Sequence, residues 1–156
     1  MMPGLINLHV HLFGSGKPSN TVNKKDNSQE KLVKFVKTKL GHVVINSIVK
    51  SNLKKTVKSG TTTVRSLGDL EYSDCINRDK INKHKYIGPS VIAAGYALTI
   101  EGGHADGAIS KHGNSPIEFD HLIYENREHK VDLIKLMITG GVLDGNEPGH
   151  PGMLKM

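Results

Sequence analysis

Four short apolar stretches, separated by segments with a different periodicity, constrain this chain more than any other feature. Residues 5–13, 61–67, 90–94 and 132–138 are rich in aliphatic or β-branched side chains and are bounded by Gly or polar clusters, which predicts strands. Between the first two, apolar residues recur at helical spacing: Leu32, Val33, Phe35, Val36 and Leu40, then Val44, Ile45, Ile48, Val49, Leu53 and Val57. This pattern predicts two helices, or one helix broken at Gly41, ending at Gly60. Weaker helical patterns cover residues 73–83 and 116–130, and the polar stretches 14–27 and 99–115 are expected to be loops. The order is β-α-β-α-β-α-β with nearly continuous apolar strands. Such strands belong in a parallel sheet with helices packed outside it, so the expected class is α/β.

A length of 156 residues suits one domain and is enough to bury a core. A single Cys rules out a disulfide scaffold or a four-cysteine zinc module. No apolar run reaches the roughly 18 residues that a membrane span needs. Met1-Met2-Pro3-Gly4 lacks the basic start and apolar stretch of a secretory signal, so the expected location is the cytoplasm. The net charge is +6, and eight lysines fall between Lys31 and Lys58. Only three of the 21 basic residues are Arg, and aromatics make up 4% of the chain, so base readers and stacking platforms are scarce. The lysines read as the solvated faces of helices, and no nucleic-acid partner is expected.

The polar residues within the strands carry the chemistry. Asn7, His9 and His11 alternate with Ile6, Leu8, Val10 and Leu12, which places the two imidazoles on one strand face. Neutral imidazole nitrogen suits Zn²⁺ and similar divalent ions, although a surface or hydrogen-bonded His pair has the same spacing. Lys135 stands between Ile134 and Leu136 in an apolar stretch, where burial would favour the neutral amine. A neutral amine can form a Schiff base, act as a base, or take up CO₂ as a carbamate whose two oxygens can bridge metal ions. An edge strand with Lys135 turned to solvent is the plainer alternative. In the loop Gly102-Gly103-His104-Ala105-Asp106, His104 can orient a substrate carbonyl and Asp106 can orient His104 or stabilise a turn, while a polar surface loop explains the same residues equally well. His42, His84, His112, His121, His129 and His150 show no obvious partners.

Pro3-Gly4-Leu5-Ile6-Asn7-Leu8-His9-Val10-His11 resembles the first strand of the amidohydrolase superfamily, with Asn7 where Asp is more common. Gly60-Thr61-Thr62-Thr63-Val64-Arg65 is similar to its second strand. The blocks Gly102-Gly103-His104-Ala105-Asp106 and Ile134-Lys135-Leu136-Met137-Ile138-Thr139-Gly140-Gly141 resemble a narrower group, the imidazolonepropionase-like and Xaa-Pro dipeptidase (prolidase-like) enzymes. The resemblance implies a TIM (β/α)₈ barrel, of which this chain would hold about the first four β/α units. Residues 1–156 would then be one partial catalytic domain, without the small β-sandwich that family members carry. It further implies His9 and His11 as metal ligands and Lys135 as a carbamate bridging two divalent ions, commonly zinc. His104 would serve as a catalytic residue in the substrate pocket. The implied activity is hydrolysis of an amide or dipeptide, a small-molecule substrate. A full barrel takes about 250 residues. The chain alone is therefore expected to be inactive, and to work as a homo-oligomer or with a complementing second half-barrel if at all. The alternative is a non-catalytic remnant that at most binds a metal.

Overall fold

In a computed structural model, the described residues are 2–14 and 34–138. The first strand, β1 (Leu5–Val10), is joined to β2 (Thr61–Ser66) through the long helix α1 (Lys39–Lys58). A single 3₁₀ turn at Leu70–Tyr72 leads into α2 (Ser73–Asn82), which returns the chain to β3 (Ser90–Ile92). Two short strands follow, β4 (Ala97–Thr99) and β5 (Ser110–His112), and then helix α3 (Pro116–Glu128). Strands β1, β2 and β3 form a parallel sheet in that order, and β4 pairs with β5 in parallel. The predicted α/β class and parallel pairing are present.

The helices form where the pattern places them, but their ends follow capping chemistry. Residues 34–36 are helical, and the break before α1 falls at residues 37–38 rather than at Gly41. Thr38 caps the new helix, its Oγ1 accepting from Gly41 N at 3.0 Å. Gly41 is buried in the first turn, where an added Cβ would lie 2.0 Å from the Phe35 carbonyl oxygen. The glycine thus serves close approach of the preceding turn, not helix breaking. Ser115 caps α3 in the same manner, with Pro116 in its first turn. The α1 residues Ile45, Val49 and Leu53 share one core with Val64, Val91, Ala93 and Ile109. Val49 and Leu53 are fully buried there, and apolar burial of this kind is the main force holding helix to sheet.

Two expectations need correction. The loop predicted over residues 99–115 contains β5, and β4, which follows β3 after Gly95 at φ +64°, pairs with β5 in a separate two-stranded sheet. The fourth strand expected over residues 132–138 is reduced to one parallel bridge between Leu98 and Leu136. Leu98 N donates to Lys135 O and Met137 N to Leu98 O, both at 2.8 Å, so the segment lies beside β4. Leu136 and Ile138 are 52% and 60% exposed, and such an apolar stretch lacks the second neighbour that makes a central strand. At the other edge β1 pairs, among the described residues, with β2 alone, and Leu5, Ile6 and Leu8 are exposed. The sheet is not closed. No helix among the described residues is long and apolar enough to cross a membrane.

Candidate metal centre

The carboxyl ends of parallel strands gather polar groups because their side chains leave the ladder there and enter the loops. In β1 the register with β2 shifts between Asn7 and Val10, where two residues of β1 (Leu8 and His9) oppose one of β2 (Arg65). This is a β-bulge, a device that bends a strand and re-aims its side chains. His9 lies within it. Asn7 Oδ1 accepts from His9 N at 3.2 Å, and Arg65 Nε donates to Leu8 O at 2.7 Å, so both irregular backbone groups are satisfied. The asparagine that replaces the more common Asp has a structural task at this point.

His11 stands just past the end of β1, with its ring centroid 5.3 Å from that of His9 and the planes at 68°. The two imidazoles are brought together, as the alternation predicts. His11 Nδ1 lies 2.8 Å from Gly68 O. A carbonyl only accepts, so Nδ1 carries a proton, and in the neutral ring Nε2 is the nitrogen that would face a ligand. His9 is held below the usual imidazole pKa by burial and then by the positive charges of His11, Lys135 and Arg65. A neutral His9 is the form that ligates a metal.

Lys135 is among the charges that lower the His9 pKa, after burial and His11. It is half-buried rather than enclosed, because its segment meets β4 along one side and its flanking Leu136 is exposed. His104 is half-buried in the turn after β4, where its carbonyl accepts from Ser110 Oγ at 2.8 Å. Asp106 is engaged with His112 Nδ1 at 2.7 Å and with Gly102 N at 3.0 Å. The block Thr139-Gly140-Gly141 and His150 lie outside the described residues.

Next to the carbonyl that holds His11 sits an acid whose burial local sequence pattern does not reveal. Asp69 is fully buried; its Oδ2 accepts from Leu12 N at 3.0 Å, and its Oδ1 from Leu70 N at 3.1 Å and Ser73 Oγ at 3.2 Å. One carboxylate thus ties the end of β1 to the turn after β2, and the neighbouring Gly68 holds the His11 ring. Burial and the nearby Asp74 push Asp69 up to about 7, against the hydrogen bonds from Leu70, Leu12 and Ser73. The Gly68-Asp69 pair directly after a β-branched strand was the available signal.

The donor set supports part of a metal's needs. Two imidazoles from one rigid strand end supply nitrogen donors, and a carbamate on Lys135 would supply oxygens. A catalytic zinc takes three protein ligands, and a structural one takes four. Among the described residues, no group of three or more His, Cys, Asp or Glu gathers to hold an ion.

The profile of the amidohydrolase family matches residues 1–152, and the chain belongs to that family. Among solved structures it is similar to a Xaa-Pro dipeptidase with methionine bound in its active site, at 30% identity and a TM-score of 0.73. That likeness covers 96% of this chain and 37% of the dipeptidase. A prolidase complexed with N-methylphosphonate-L-proline matches at 21% identity and a TM-score of 0.70, covering 97% of this chain and 35% of that one. The A. niger ochratoxinase matches at 20% identity and a TM-score of 0.71, covering 93% and 36% respectively. The last two likenesses show the fold alone. No curated protein matches. The chain spans little more than a third of these solved relatives, so its architecture is a partial (β/α)₈ barrel.

Proposed function

We propose that this chain carries the first part of the metal site of a hydrolase acting on carbon–nitrogen bonds, of the Xaa-Pro dipeptidase type. The observation that carries the reading is the pairing of the His9 and His11 rings at the end of β1 in an amidohydrolase-family chain. In this reading His9 and His11 hold a divalent ion, zinc in the first instance, and Lys135 as a carbamate contributes oxygens to a second. Bound there, the ions would supply Lewis acidity and bring the pKa of water near neutrality. The chain's own contribution is positioning. Gly68 O sets the tautomer of His11, and the bulge held by Asn7 and Arg65 aims His9. His104 is proposed to orient the substrate carbonyl from the turn after β4. The substrate class is a small amide or dipeptide, in keeping with the methionine and the phosphonate-proline named for the two dipeptidase-like relatives.

The open sheet supports a second reading for the chain by itself, a non-catalytic unit that binds at most a metal. Elemental analysis of protein grown with zinc and bicarbonate, beside a His9→Ala/His11→Ala double variant, tests the site. About one zinc or more per chain, lost in the variant, is the expected result; equal metal in both overturns the assignment. Amide hydrolysis by the chain alone would overturn the expectation of inactivity. Hydrolysis restored by a separately produced second half-barrel would favour the enzymatic reading over the non-catalytic one.

A further inference from the structure

Away from the strand ends, α1, α2 and the turn after α2 enclose an open groove of about 650 Å³, within the size range of small-molecule sites. Lys50, Lys80 and Lys85 line it with His42, whose Nε2 lies 3.6 Å from the Glu71 carboxylate, and no carboxylate among the described residues lines it directly. Its floor is built from satisfied amides. Asn77, fully buried, donates through Nδ2 to Asn46 Oδ1 and to Ser73 O, both at 2.8 Å, and Tyr86 Oη donates to Asn77 Oδ1 at 2.7 Å. With its hydrogen bonds committed, this chain of side chains holds the Tyr86 ring in place. Lys50 Nζ sits 5.0 Å from the centroid of that ring, which positions one cation over the groove. Three ammonium groups thus border one concavity, and an anion bound in it would meet their positive charge.

We propose that this groove binds a small molecule through a diphosphate group. Lysine is a point-charge partner for phosphate, and a diphosphate can meet several such charges at once. Val43 and the Tyr86 ring supply an apolar wall for the body of the ligand. None of these residues belongs to a strand, so the proposal stands apart from the metal-site reading.

Inorganic pyrophosphate titrated calorimetrically into the purified chain at low ionic strength tests the proposal. Saturable binding at one site is expected, with Kd raised at least tenfold in Lys80→Gln/Lys85→Gln. A control, Lys54→Gln/Lys58→Gln, removes the same charge from α1 outside the groove and is expected to stay within twofold. Absence of saturable binding, or equal loss in both double variants, overturns the site. So does a single-stranded oligonucleotide that binds through Lys80 and Lys85 and is not displaced by pyrophosphate.

Discussion

Arg78 Nη1 donates to Asp132 Oδ2 at 2.8 Å, joining the middle of α2 to the start of the segment that carries Lys135. The same oxygen accepts from Ala93 N at 2.8 Å, and Asp132 N donates to Ala93 O at 2.8 Å. The Arg78 side chain is 8% exposed and that of Asp132 is 42% exposed, so the pair is shielded on one side only. Since the segment meets β4 through a single bridge, this clamp is a main determinant of where Lys135 lies.

Arg78→Ala is therefore expected to cost about 1.5–3 kcal/mol, the range for hydrogen bonds to charged groups. Urea unfolding measures the loss. Amide exchange at Leu98 and Met137, whose N–H groups hold the segment to β4, is expected to accelerate in the variant. Unchanged exchange there would separate the clamp from the position of Lys135.

Asp69 makes stability depend on pH in a direction opposite to that of an ordinary ion-paired carboxylate. Its folded pKa of about 7, set by burial and then by Asp74, lies above the usual 3.8. The protonated form therefore contributes stability that is complete below the unfolded value and is lost as pH rises through about 7. The urea midpoint is expected to fall between pH 5 and pH 7.5, and this slope is expected to flatten in Asp69→Asn.

His112 is raised above the ordinary imidazole value by its hydrogen bond to Asp106, with burial opposing. Its contribution to holding the turn from Gly102 to His112 is present below the unfolded value and is lost as pH rises through the raised folded value. An NMR titration of the His112 ring is expected to show an elevated midpoint that moves down in Asp106→Asn. Because both groups are partly exposed, the effect on global stability is expected to be small.

Leu53 is fully buried where α1 meets the core. Leu53→Ala is expected to destabilise by about 2–5 kcal/mol through lost transfer energy and the residual cavity. Leu40→Ala, at a position on the same helix that is 65% exposed, is expected to change the midpoint little.

The neighbourhood of the metal-site candidates was legible where a local rule sufficed. His9 and His11 are brought together because strand alternation needs only sequence spacing, although the bulge that aims His9 depends on the register with β2. Arg65 filling the ladder at Leu8 could not be anticipated, since it joins residues 57 apart in sequence. The same holds for Asp69 and Leu12, again 57 apart. Several histidines without an obvious sequence partner acquire one across the fold. His112 pairs with Asp106, His42 lies 3.6 Å from Glu71, and His129 stacks on Tyr72.

Hydrophobic periodicity by itself determined the α/β class, the helices α1, α2 and α3, and the first three strands, because burying one face imposes a period of 3.6 or 2 on the sequence. Only the tertiary structure decided the fate of residues 132–138. Their composition suits a fully buried central strand, but a central strand needs two neighbours, and the described residues supply one. The tertiary structure also decided that Lys135 is half-buried and that the Asp69 carboxylate is held near neutrality. Those properties arise from desolvation and charge at a distance, which depend on what surrounds a residue in space and leave no mark in its sequence neighbours.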